Sequence, residues 1–337
     1  MKKRIAINGF GRIGRLALRG LLNQDGVEVV AINDLTDVNT LAHLFRRDSV
    51  HGTFDGTVEV QNENLVINGQ VIEDFSERNP ENLPWERLGV DLVVECTGVF
   101  RDPEGAGKHI QAGASKVLIS APATGGIKTI VLGVNDEMLT EDDNIVSNAS
   151  CTTNCLAPMV KALDEAFGLE RGYITTIHAY TADQRLQDAP HKDLRRARAA
   201  ALNMVPTTTG AAAAVGMVLP HLNGKLDGLA VRVPVPDGSL TDLVATVGKE
   251  VTAEEVNAVM KAACGHSLNG IVEYSVDPIV SSDIVGNPYS CIFDSQMTKA
   301  EGNMIKVFGW YDNEMGYATR LVEVAVRMCA MTKEKVH

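Results

Sequence analysis

The run Gly9-Phe10-Gly11-Arg12-Ile13-Gly14 constrains this chain more than any other, because it stands between an apolar strand at residues 4–8 and the helical sequence RLALRGLL. In that strand-turn-helix setting the three glycines serve a tight turn, close approach of a pyrophosphate, and packing of the helix on the strand. A second strand, Val27–Asn33, ends at Asp34, 20 residues beyond Gly14. A carboxylate there can bond both hydroxyls of an adenosine ribose and would repel a 2′-phosphate. A glycine-rich turn beside a solvated aspartate is the plainer alternative. The flanking βαβ pattern favours dinucleotide binding.

Residues 57–74 alternate as TVEV, LVIN and VIED between Asn-rich and NGQ turns, which predicts an antiparallel hairpin region inserted after the first βαβ unit. The parallel pattern then resumes with DLVVECTG, a helix near AGKHIQAGA, and the strands KVLIS, TIVLGVN and NIVSNAS. Ser120 closes one of these strands and Arg78 lies in an earlier loop. Ligands of a doubly wound sheet bind at strand ends on this side, so both are candidate cofactor contacts.

The stretch SNASCTTNCLAP at residues 147–158 passes from a strand into a helix, which puts Cys151 on the first helical turn. Unpaired N–H groups and the helix dipole favour an anion at that point, biasing a cysteine toward its nucleophilic thiolate. Ser150, Thr152 and Thr153 are hydroxyl residues that could bond the helix end or a bound anion. A buried cysteine beside an ordinary cap is the alternative. A zinc site at Cys151 and Cys155 lacks further Cys or His pairs to complete it.

The strand YITTIHAYT follows and carries His178, which by itself reads more readily as a satisfied core histidine than as a catalyst. Residues 181–203 then form a long polar loop containing Arg185, Arg195, Arg196 and Arg198. Loops of that length are usually functional or at an interface, and a basic cluster in an acidic chain favours anions. Pro206-Thr207-Thr208-Thr209-Gly210 is expected to open the helix AAAAVGMVL as a second hydroxyl-rich helix start. Arg232 falls in the apolar strand GLAVRVPV, where a charge must be paired or face a ligand. Further strands at LTDLVATVG, IVEYS, SCIFDSQ and MIKVFGWY and a helix near residues 252–264 make this half α+β, and an amphipathic helix closes the chain.

Composition narrows the function classes. With 337 residues there is room for two domains, and 31 Lys and Arg against 43 Asp and Glu give a net charge of −12. That balance argues against a dedicated nucleic-acid partner or a membrane surface. The basic start at residues 1–4 is too short for a targeting segment, and no apolar run is long enough to span a membrane. Six scattered cysteines suggest reduced thiols and a cytoplasmic protein.

INGFGRIGR, VAIND, SNASCTTNCLAP, HAYT, DLRRARAAA, PTTTGAA, RVPVP and WYDNEMGY, in this order, resemble the phosphorylating glyceraldehyde-3-phosphate dehydrogenases over essentially the whole chain. The resemblance implies a Rossmann-type α/β NAD-binding domain over residues 1–150, with the C-terminal helix at 316–337 packing back on it. It also implies an α+β catalytic domain with a mainly antiparallel sheet over 151–315. Cys151 is then the nucleophile and His178 its acid/base partner. Ser150, Thr152, Thr181, Arg196, Thr209, Gly210 and Arg232 fall to two phosphate-binding sites. Arg12, Ile13, Asp34, Arg78, Ser120 and Asn313 fall to NAD, beside Gly9, Gly11 and Gly14.

Glyceraldehyde 3-phosphate and inorganic phosphate would be the substrates of a glycolytic homotetramer to which the 181–203 loop contributes contacts. The chain departs from the family pattern at Ala213, where a lysine is common, and at Met315 and Ile284. Ala189 stands where NAD-specific members often carry leucine, in a segment that in the tetramer reaches toward a neighbour's adenosine. Two other readings stay open: a relative acting on erythrose 4-phosphate, and a non-catalytic nucleotide- or RNA-binding protein.

Overall fold

The computed structural model describes residues 2–332, which gather into two compact units. The first runs through Ile130 and adds Glu137–Ala149 and the described residues from Ala318; the second holds Val131–Asp136 and Ser150–Tyr317. The closing helix is Met315–Ala330, and residues 333–337 of the helix expected over 316–337 lie outside the described residues.

The first unit is built on a sheet of nine strands among the described residues. Its order is Lys128–Thr129, Ile145–Ser147, Lys116–Ile119, Leu92–Glu95, Lys3–Asn8, Val27–Asn33, Gln70–Phe75, Asn64–Ile67, Val58–Gln61. The strands Leu92–Glu95 and Lys116–Ile119 are buried at every position. That is why their sequences read as continuous apolar runs rather than as alternation: a parallel sheet is covered on both faces. The expected hairpin region is present, and its innermost strand joins the parallel sheet beside Val27–Asn33. Asn68 and Gly69, with φ of 49° and 82°, form a two-residue hairpin turn that requires left-handed backbone at both positions. The helix Val38–Arg46 escaped the sequence reading. Its signal was present: Asp37 accepts hydrogen bonds from the Asn39 and Thr40 N–H groups, and Val38, Leu41, Ala42 and Phe45 fall on one buried face.

The second unit carries a mainly antiparallel sheet, in the order Val205–Thr208, Leu226–Val233, Leu169–Ala179, Ser239–Val247, Met304–Tyr311, Cys291–Asp294, Val272–Ser275. Strands Leu169–Ala179 and Leu226–Val233 pair in parallel. The helix Cys151–Phe167 buries Cys155, Leu156, Ala157, Met159, Val160 and Leu163 completely, anchoring its first turn to the core. The helix expected after residues 206–210 is present from Ala211, with Gly210 as its N-cap; the strand Val205–Thr208 before it, an edge strand where Pro206 costs no needed ladder bond, was not foreseen.

Candidate active site

Ala149 sits in left-handed backbone at φ 58°, turning the chain from the strand Ile145–Ser147 toward the helix. Ser150 is the helix N-cap: its Oγ accepts from the Thr153 N–H at 3.0 Å and lies 2.7 Å from the Thr153 hydroxyl. Cys151 is therefore the first helical residue, and its Sγ lies 3.5 Å from His178 Nε2. His178 is nearly buried on the strand Leu169–Ala179, and the parallel register sets it directly beside Arg232.

At the other ring nitrogen, His178 Nδ1 lies 2.7 Å from the Ala179 carbonyl oxygen and 2.8 Å from Arg232 Nη1. These two contacts belong to different tautomers, because one needs an N–H at Nδ1 and the other a lone pair. With Nδ1–H donated to Ala179 O, Arg232 still reaches that oxygen at 3.2 Å, and Nε2 presents a lone pair to the thiol. This is the tautomer base chemistry requires. Tyr311 closes the site from below: its hydroxyl is 2.8 Å from both Thr152 Oγ1 and Thr176 Oγ1, and its ring meets His178 edge-on at 5.9 Å. Sequence reasoning missed Tyr311, whose only signal was its place at the end of the strand Met304–Tyr311.

At Cys151 burial and the helix-start environment pull in opposite directions. Burial pushes the Cys151 thiol up to about 11, although the Arg232 charge and hydrogen bonds from Thr152 pull it down. Burial, then the Arg232 charge, pushes His178 down to about 3.

Arg196 lies in the loop 181–204 and extends the cationic zone, since its charge acts on both His178 and Arg232. Its Nε donates to Thr207 Oγ1 at 2.9 Å, Nη2 to the Thr208 carbonyl at 3.3 Å, and Nη1 to Asp183. Thr181 N–H donates to Gln184 Oε1, and Thr209 Oγ1 accepts from the Ala211 N–H beside the N-cap Gly210. Cys151, His178 and Arg232 thus converge in direct contact, while Thr181, Thr209 and Gly210 make local contacts of their own. Asn313 is buried and accepts from the Ser239 hydroxyl at 2.6 Å.

In the first unit a groove of about 450 Å³ is lined by Gly9, Gly11, Asp34 and Arg78 together with Asn8, Asn33, Glu77, Cys96, Thr97 and Phe100. The last six were not singled out from sequence, although ECTG follows directly on a strand end. The residues fit a dinucleotide. Gly9 has φ 89°, and a Cβ there would lie 2.7 Å from Thr97 N. At Gly14 it would lie 2.2 Å from Gly9 O, whereas at Gly11 it would meet open space, where a phosphate can come close. Asp34 accepts from the Phe10 N–H at 2.8 Å and the Thr36 N–H at 3.0 Å, so the carboxylate is fixed at the groove edge. Arg12 and Ile13 are the first two helical residues; Arg12 is paired with Asp48. Ser120 donates its N–H to the Glu95 carbonyl and lies outside the residues lining the groove.

Family models match both halves: the glyceraldehyde 3-phosphate dehydrogenase NAD-binding domain at residues 3–103 and the C-terminal domain of the same family at residues 150–313. Curated relatives agree over nearly the whole length. Glyceraldehyde-3-phosphate dehydrogenase 2 of Streptomyces avermitilis is 56% identical across 97% of this chain and 98% of its own. Glyceraldehyde-3-phosphate dehydrogenase of Geobacillus stearothermophilus is 56% identical across 96% and 98%, and glyceraldehyde-3-phosphate dehydrogenase 1 of Bacillus subtilis 55% across 96% and 98%. With both domain models and full-length relatives matching, the chain belongs to the glyceraldehyde 3-phosphate dehydrogenase family.

Proposed function

We propose that this chain catalyses the NAD-dependent oxidative phosphorylation of D-glyceraldehyde 3-phosphate to 1,3-bisphosphoglycerate. The observation that carries the reading is the 3.5 Å approach of Cys151 Sγ to His178 Nε2 at a helix start, with Arg232 on the far side of the imidazole. Cys151 sulfur adds to the aldehyde carbon as its proton passes to Nε2, and the imidazolium returns that proton to the new oxygen, giving a hemithioacetal. His178 then takes the hydroxyl proton as the carbon is oxidised to a thioester. Bound NAD supplies the hydride acceptor for that oxidation. Inorganic phosphate, held by hydroxyls and arginines, attacks the thioester carbonyl, and Cys151 leaves as a thiolate reprotonated by His178.

The roles assigned to Ser150, Thr152, Thr181, Arg196, Thr209, Gly210 and Arg232 at two phosphate sites are part of this proposal. So are those of Arg12, Ile13, Asp34, Arg78, Ser120 and Asn313 toward NAD. The same holds for the partition into a cofactor domain, 1–150 with 316–337, and a catalytic domain, 151–315. Initial rates of NADH formation test it, with glyceraldehyde 3-phosphate against erythrose 4-phosphate and with phosphate present or omitted. NADH formation that ignores phosphate, or runs equally with erythrose 4-phosphate, overturns the assignment.

A homotetramer is proposed on a second observation. Leu186, Leu194, Leu202 and Met204 are 81%, 80%, 82% and 74% exposed on one loop region, an arrangement that calls for a covering surface. A sedimentation mass near that of one chain would remove the assembly. A cytoplasmic setting rests on six free cysteines. Among the described residues no helix is long and apolar enough to cross a membrane.

A further inference from the structure

We propose that Asp183 is a built-in stand-in for phosphate, occupying the Arg196 guanidinium while the anion site is empty and displaced when phosphate binds. The inference rests on the reading of Arg196 as a phosphate ligand given above.

Two carboxylates reach Arg196, and they are held very differently. Asp193 accepts from the Thr207 hydroxyl at 2.6 Å and the Arg195 N–H at 2.9 Å, and stands 3.6 Å from Arg196 Nε. It belongs to the scaffold that sets the guanidinium in place. Asp183 bonds Arg196 Nη1 directly, yet its side chain is 48% exposed, and its further ionic contact is His191 at 3.6 Å. Its charge also reaches Arg232, which is largely withdrawn from water. Two guanidiniums converging beside a buried imidazole repel each other when no anion is present. A carboxylate on a solvent-facing loop offsets that repulsion, and it can swing away without leaving a buried group unpaired.

An ion pair with a half-exposed partner is a weak restraint, worth a factor of about two to five in an equilibrium. A phosphate dianion offers three acceptor oxygens to the same donors and makes stronger charge-assisted bonds. The exchange therefore runs toward phosphate, at an affinity reduced by the fraction of molecules in which Asp183 holds the arginine. The stand-in keeps Arg196 extended and ready, and it makes phosphate affinity moderate by construction.

The test is equilibrium anion binding by the full chain without cofactor, read as protection of Cys151 from a neutral alkylating reagent by inorganic phosphate at constant ionic strength. Asp183→Asn should reach half-protection at about two- to fivefold lower phosphate than the wild type, with Asp183→Glu returning toward it. Asp193→Asn should shift the other way, because it loosens the scaffold. Asp183→Ser serves as a second variant, and thermal melts of each confirm an intact fold. A folded Asp183→Asn or Asp183→Ser protein that binds phosphate no more tightly than the wild type overturns the stand-in and leaves the phosphate site intact. If phosphate gives the wild type no protection at any concentration, the assignment of Arg196 falls as well.

Discussion

At Cys151 two influences oppose each other: burial raises the thiol to about 11, while the Arg232 charge and the Thr152 hydrogen bonds draw it down. The same arginine, second to burial, pushes His178 down to about 3, so Arg232 favours the thiolate of Cys151 and the neutral, basic form of His178 together. Cys151→Ser should accordingly abolish aldehyde oxidation while NAD binding, measured by calorimetry, persists, since a serine hydroxyl is far harder to ionise. His178→Asn should cost about 10²- to 10⁴-fold in turnover and slow alkylation of Cys151. An unchanged alkylation rate would remove His178 as the group that activates the thiol. Replacing Arg232 with leucine should raise the imidazole titration, followed by the Cε1 proton resonance, without restoring it to its ordinary range, because burial remains. No upward movement would show that Arg232 does not set the basicity of the ring.

The strand-turn-helix element around Gly9 was legible because its requirements are local: a φ of 89°, a helix that must approach Gly9 O, and a carboxylate at the end of the next strand. The hairpin region was legible for the same reason, since alternation and Asn-Gly turns act within a few residues. The pairing of His178 with Arg232 was not, because it follows from the register of two strands more than fifty positions apart, a tertiary choice that sequence spacing does not encode. The edge strand at Val205–Thr208 was hidden by a hydroxyl-rich sequence that suits a helix cap equally well. Asp183 lay inside a loop read only for its arginines. At the groove, Asp34 has company: burial, then the charges of Asp34 and Asp37, raise Asp74 to about 7. Asp34 itself is the carboxylate that lines the groove, where it would meet a 2′-phosphate as a like charge. Strong preference for NAD over NADP should follow despite Ala189, and Asp34→Ala should give measurable NADP turnover. Comparable kcat/KM for the two cofactors in the unmutated chain would contradict this.

At the scale of the whole molecule, stability should peak near pH of about 4, because ionisable groups in the fold pull in opposite directions. His178 is protonated near 6.5 when unfolded but near 3 when folded, so the unfolded chain binds the extra proton between those values and stability rises with pH across that window. Burial opposes it, but the His51 N–H and Arg12 hold Asp48 down to about 2, adding stability that is lost as pH falls from about 4. Asp74 and Asp237 act the other way. Burial and then the neighbouring Asp312 charge raise Asp237 to about 9, so the folded chain keeps a proton that the unfolded chain releases near 4. Their contributions therefore fade as pH rises, Asp74 through about 7 and Asp237 through about 9. Between pH of about 4 and 6.5 the one-proton His178 gain offsets only one of these two losses; above it nothing does, and the melting temperature should decline throughout from about pH 4 toward pH 9. Asp237→Asn isolates the cause, because the amide keeps the shape of the protonated acid and cannot ionise. The variant should match the wild type below pH of about 4 and melt progressively higher than it toward pH 9, by several degrees if the gain is on the order of 1 to 2 kcal/mol in a chain of this size. Parallel alkaline limbs for the two proteins would exclude Asp237 as the origin of the decline.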